Sequence, residues 1–169
     1  MLDIFNNIKL FMEDNYIRIG VREYARLRKI SPPHASEILK NFQKEKLLLM
    51  EKERRHHLYH ANTDSKLFIK LQRAFYQNEF RELTLYIESQ FINPLVILFG
   101  SFSKAEISRN SDIDIAVFSS LKKSIDLHKF ERKYGRKIHL FLFKDKEELD
   151  KNKELLHSIL NGNILSGGW

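Results

Sequence analysis

The chain has no cysteine, which rules out a disulfide framework and any thiolate metal site. Only 3 of its 169 residues are proline and 6 are glycine, too few for long flexible linkers. No apolar run approaches the roughly 20 residues that span a bilayer. The first residues carry Asp3, Glu13 and Asp14, where a secretory leader would be basic and then apolar. These absences predict a cytoplasmic protein with no membrane partner. What is present is a soluble globular balance, 43% hydrophobic and 30% charged, at a length that suits one domain or two small ones. Lys and Arg outnumber Asp and Glu by 29 to 22, a net charge of +7. That balance favours a polyanionic partner such as nucleic acid or nucleotide phosphates. The excess is shared by both halves of the chain, so its location must come from motifs.

In the N-terminal third, Ile4, Phe5, Ile8, Phe11 and Met12 recur at helical spacing. A second apolar set, Val21, Tyr24, Ala25 and Leu27, follows Gly20. Ser31 and Pro32 then read as the N-cap and first position of another helix, with Ala35, Ile38, Leu39 and Phe42 as its inward face. The run "LLLMEKERRHHLYHAN" alternates apolar and polar residues around a charged centre, the pattern of a hairpin with a basic tip. Helices joined by a short turn, followed by a hairpin, resemble a winged helix-turn-helix domain over residues 1–62. The resemblance implies DNA or RNA as partner, with His34, Ser36 and Lys40 on the groove-facing helix and Arg54 and Arg55 reaching phosphates from the hairpin. Glu37 on the same helix face opposes phosphate, and such domains also serve as protein-interaction modules. His56, His57 and His60 lack zinc-site spacing, and neighbouring strand residues point to opposite faces. They read as solvated hairpin residues.

Residues 63–89 carry Leu67, Phe68, Leu71, Phe75, Phe80 and Leu83 at helix-like intervals. They predict linker helices with a break near Asn78.

The chemistry-bearing residues lie in the C-terminal half, 90–169. "PLVILFG" reads as a buried strand ending at Gly100, "SDIDIAVF" as a second and "RKIHLFLF" as a third. A short helix fits within 101–107, another near 124–134, and a closing one over 146–162. Side chains two apart on a strand share a face, so Asp112 and Asp114 point the same way. Such a pair can jointly hold hard divalent cations through oxygen. A Gly-Ser turn opening a helix presents backbone N–H groups to phosphate oxygens, with no side chain at the glycine to block approach.

Gly100-Ser101, a short spacer and "SDID" resemble the nucleotidyltransferase superfamily typified by DNA polymerase beta. The domain size and the closing "ILNGNILSGG" are similar to the minimal nucleotidyltransferases of archaea and bacteria. The whole chain is thus expected to be α+β: an N-terminal all-α winged helix-turn-helix followed by a small domain with a mixed sheet packed with helices. The resemblance implies an NTP substrate and Mg²⁺ or Mn²⁺. It implies triphosphate binding by Gly100 and Ser101, further phosphate contacts from Lys104 and Arg109, and metal binding by Asp112 and Asp114. It also implies a small helical toxin-like protein as a partner. The family usually supplies a third carboxylate from a later strand, and the matching position here is His139. A neutral imidazole can accept a proton or ligate a metal, suiting Mn²⁺ or Zn²⁺ better than Mg²⁺. The other reading is a catalytically weakened, nucleotide-binding transcriptional regulator or antitoxin-like protein.

Overall fold

A computed structural model of the chain describes residues 3–54, 56–149 and 152–168. The chain divides into two compact units, Met1–Gln72 with Ala105–Arg109, and Arg73–Lys104 with Asn110–Trp169.

In the first unit, α1 (Asp3–Glu13) buries Ile8, Phe11 and Met12, the stripe its periodicity demands. β1 (Ile19–Gly20) leads into α2 (Val21–Arg28), which ends at Lys29 in the left-handed region, φ 54°. α3 (Pro32–Lys44) starts where Ser31 Oγ accepts the N–H of His34, and it buries Ala35, Ile38, Leu39 and Phe42. β2 (Leu48–Glu53) and β3 (His56–Ala61) form an antiparallel hairpin, and β1 joins β3 to make a three-stranded sheet. The unit is therefore not all-α. The alternation in residues 47–62 outweighs the helical surroundings, and a two-residue strand such as β1 has no period to read. Within this unit Asn15 grips the segment 105–109 as a second backbone would. Its N–H donates to Ile107 O, and its Oδ1 accepts the Ile107 N–H, both at 2.7 Å. Ile107 is fully buried.

α4 (Lys66–Glu79) carries the boundary between the units, and α5 (Arg81–Gln90) follows it. The second unit continues with β4 (Leu95–Phe99), α6 (Ser101–Lys104), β5 (Ile113–Phe118), α7 (His128–Tyr134), β6 (Ile138–Phe143), α8 (Lys153–Leu160) and β7 (Asn163–Ser166). The sheet order is β6-β5-β4-β7, with β5 and β6 parallel and the other pairs antiparallel. This is the mixed sheet of an α+β fold. Every residue of β4 is buried, because it lies between β5 and β7 with both faces covered. That is why it reads as an unbroken apolar run. On one face Leu95, Ile97, Phe99, Ala116 and Phe118 form a core with Ile159 of α8, flanked by Phe141, Phe143, Leu155 and Leu156.

Three local departures from the sequence expectation have local causes. The helix near 124–134 begins only at His128, since Asp126 Oδ1 takes the His128 N–H at 2.9 Å and competes with helical pairing. The closing helix is divided: a 3₁₀ turn at Glu147–Leu149 precedes α8, whose start is set by the Asn152 side chain accepting the Leu155 N–H. β7 has no counterpart in the sequence expectation; Gly162 lets the chain turn into it, since a Cβ there would stand 2.8 Å from Leu98 O. Among the described residues no helix is long and apolar enough to cross a membrane.

Candidate active site

Strand register assembles the site. Antiparallel pairing sets Phe99 opposite Asp114, and parallel pairing sets Asp114 opposite His139. The turn after β4, the carboxylate of β5 and the imidazole of β6 therefore stand in a row across one edge of the sheet. Gly100 has φ 68°, and a Cβ at this position would run into Asp114 Oδ2. Glycine is required twice over, for the left-handed turn and for the close approach of the carboxylate. α6 begins directly after it, with Ser103 donating to Gly100 O through N–H and Oγ at 3.2 and 3.0 Å. Ser101 is half-buried and Lys104 exposed at the end of this single turn.

His139 spans the two acids. Its Nδ1 lies 3.3 Å from Asp114 Oδ1 and its Nε2 3.9 Å from Asp112 Oδ2. The side chains of Asp112, Asp114 and His139 are 41%, 27% and 49% exposed, so a solute reaches all three. Burial pushes the Asp114 carboxyl above its ordinary range; the His139 hydrogen bond and charge pull it back, and Asp112 adds to the rise. The acids differ in their support. Asp114 lies inside β5, whereas Asp112 precedes its first residue and stands outside the strand that alternation assigns to both. The backbone on either side of Asp112 is held instead by the chain leading into β6. Arg136 Nη1 donates to Ser111 O at 2.6 Å, and the Ile113 N–H donates to Lys137 O at 2.9 Å. Sequence reasoning missed Arg136, because nothing in its neighbourhood distinguishes it from a solvated loop cation.

The remaining candidates belong to the first unit. Arg109 belongs to the first unit, where it pairs with Asp14 at 3.5 Å and is 79% exposed. In that unit His34, Lys40 and Arg54 are exposed and Ser36 is half-buried. His34 sits 3.7 Å from Glu37. Arg55 lies outside the described residues.

Among the described residues no group of three or more His, Asp or Glu side chains is placed to hold a metal ion by itself. Two carboxylates with an imidazole beside them are nonetheless an oxygen-rich donor set. Such a set would hold a divalent ion only if phosphate oxygens and water completed its shell.

The family model described as polymerase beta, nucleotidyltransferase matches residues 81–166, just over half of the chain. The chain belongs to the polymerase beta nucleotidyltransferase family. Members of this family generally use divalent metals. The nucleotidyltransferase match takes in the whole four-stranded sheet along with Gly100, Ser101, Asp112, Asp114, Arg136 and His139. It leaves out the N-terminal helices and hairpin. No curated protein matches the chain significantly. Among solved structures, a point mutant of ZitR from Lactococcus lactis is similar at 17% identity. That match covers 53% of this chain and 63% of the other, under two thirds of its length, with a TM-score of 0.38. At that score the likeness carries no weight for fold or binding.

Proposed function

We propose that the chain transfers a nucleotidyl group from an NTP to an acceptor hydroxyl. The observation that carries this reading is the register that puts Gly100, Asp114 and His139 side by side, with Asp112 adjacent. The Gly100-Ser101 turn would receive the triphosphate, and Lys104 at the end of α6 would add positive charge for it. Asp112 and Asp114 would hold one or two Mg²⁺ or Mn²⁺ ions, which when bound stabilise the attacking and leaving oxygens of an in-line displacement. The acceptor oxygen forms a bond to the α-phosphorus, the bond to the bridging oxygen breaks, and pyrophosphate leaves. The acceptor proton passes to His139, since a neutral imidazole can act as a general base. An imidazole nitrogen in place of a third carboxylate oxygen suits Mn²⁺ better than Mg²⁺. Labelled NTPs offered with either ion and candidate acceptors test the proposal. Label transfer that disappears in Asp112→Asn/Asp114→Asn supports it; transfer at the same background level in both proteins contradicts it.

A second reading concerns the first unit. The Ser31-capped α3, packed with α2 and followed by the β2–β3 hairpin, supports a winged helix-turn-helix role in nucleic-acid binding. In that reading His34, Ser36 and Lys40 face the groove and Arg54 and Arg55 meet phosphates. It permits a regulator whose second unit senses nucleotide. Binding to duplex DNA or RNA that weakens steeply with salt, and survives Asp112→Asn, supports it. Absence of binding at low salt counts against it.

A further inference from the structure

Asp114 is fixed by ladder pairing to both neighbouring strands, but Asp112 stands just outside β5. Something else must hold its carboxylate if it is to share an ion with Asp114. The two backbone groups flanking Asp112 are both tied to consecutive residues of one loop. Ser111 O accepts from the Arg136 guanidinium at 2.6 Å, and the Ile113 N–H donates to the Lys137 carbonyl at 2.9 Å. The first tie is a side-chain contact, so substitution can remove it.

The same guanidinium lies over the Phe102 ring, 5.3 Å from its centroid. Phe102 directly follows Ser101 in α6 and is buried against Tyr76 and Phe80, with ring centroids at 4.7 and 5.7 Å. One planar cation thus touches Phe102, the residue after the turn that would receive phosphate, and the peptide that carries Asp112. The planar geometry matters, because guanidinium donates in its plane while its face stacks on a ring. Arg136 itself is set by the end of α7. Gly135 takes the left-handed conformation (φ 63°) there, and the Arg136 N–H returns to Glu131 O at 3.3 Å.

We infer that Arg136 is a positioning residue that fixes the Asp112 carboxylate relative to the Gly100-Ser101 turn. The inference rests on the nucleotidyltransferase reading and adds a residue to it. Arg136 is proposed to act through Ser111 and Phe102 rather than on a reacting atom. Loss of such outer-shell support typically lowers metal affinity by about 10–100-fold.

The test uses the full chain and two readouts. The first is Mn²⁺ titration, followed by electron paramagnetic resonance, of wild type, Arg136→Ala, Arg136→Lys, Asp112→Ala and the Arg136→Ala/Asp112→Ala double variant. Arg136→Ala should weaken Mn²⁺ binding by about tenfold or more. Arg136→Lys should recover part of the loss, since an ammonium still donates to Ser111 but offers no face to Phe102. The double variant should bind no worse than Asp112→Ala alone. The second readout is amide hydrogen exchange without metal. Arg136→Ala should speed exchange in the peptide 108–113 and leave the interior of β5 protected. Unchanged exchange at 108–113, or uniform acceleration across β5, overturns the inference. So does Mn²⁺ affinity equal to wild type in Arg136→Ala. If wild type itself binds no Mn²⁺, the transferase reading fails, and the exchange result alone still decides whether Arg136 holds the Asp112 segment.

Discussion

His139 Nδ1 stands 3.3 Å from Asp114 Oδ1 because the parallel register of β5 and β6 sets these residues opposite one another. The sequence resemblance leads one to expect a third acid at this position, and the chain has an imidazole there. His139→Ala should lower kcat for nucleotidyl transfer by about 10²-fold, the scale of a lost general base. His139→Asp should retain turnover and shift metal preference from Mn²⁺ toward Mg²⁺, since a third carboxylate favours hard ions. Initial rates with each ion measure both effects. Unchanged kcat in His139→Ala would remove the base role.

Gly100 brings the turn after β4 against the Asp114 carboxylate. Gly100→Ala places a methyl group against Asp114 Oδ2 at a φ of 68°. The left-handed conformation alone costs on the order of 1–3 kcal/mol for a residue with a Cβ. The denaturant midpoint should fall with the slope unchanged, and nucleotide affinity should fall with it.

Asp114 carries a stability cost at neutral pH. Burial, the largest cause, raises its carboxyl pKa, so the folded chain binds this proton more tightly than the unfolded chain does. Stability from this group is present below the unfolded carboxylate pKa and is lost as pH rises through the higher folded value. Asp114→Asn should therefore be more stable than wild type at neutral pH, with the gain fading on acidification. Thermal melts across that range test it.

Helix and strand positions follow from the sequence where apolar spacing runs long enough to show a period. α1, α3 and the buried β4 are such cases, and Gly100-Ser101 with the two acids marks the site edge. Short elements escape: β1 has two residues and β7 four, too few to distinguish from turns. Asp112 looks like a strand residue because alternation does not say where pairing begins. Arg136 is invisible because its partners, Ser111 and Phe102, lie far from it in sequence. Ile107 likewise meets Asn15 only through folding.

Tyr134 offers a probe at high pH. Its ring packs on Phe80 at 5.0 Å between centroids, and its hydroxyl donates to Glu79 O at 3.4 Å. Burial first, then the charges of Glu79 and Glu82, push the phenol from 10.0 up to about 12. Its contribution to stability is present below pH 10 and is lost as pH rises through about 12. Tyr134→Phe should lose less stability across this window, and near-ultraviolet titration should lack a phenolate step near pH 12.

The most direct measurement is a crystal structure of the chain with a non-hydrolysable NTP and Mn²⁺. The account predicts the triphosphate on the Gly100-Ser101 turn, with one or two ions between its oxygens and the carboxylates of Asp112 and Asp114, and His139 beside them. A nucleotide bound away from this edge, or bound here with no ion reaching either carboxylate, would contradict it.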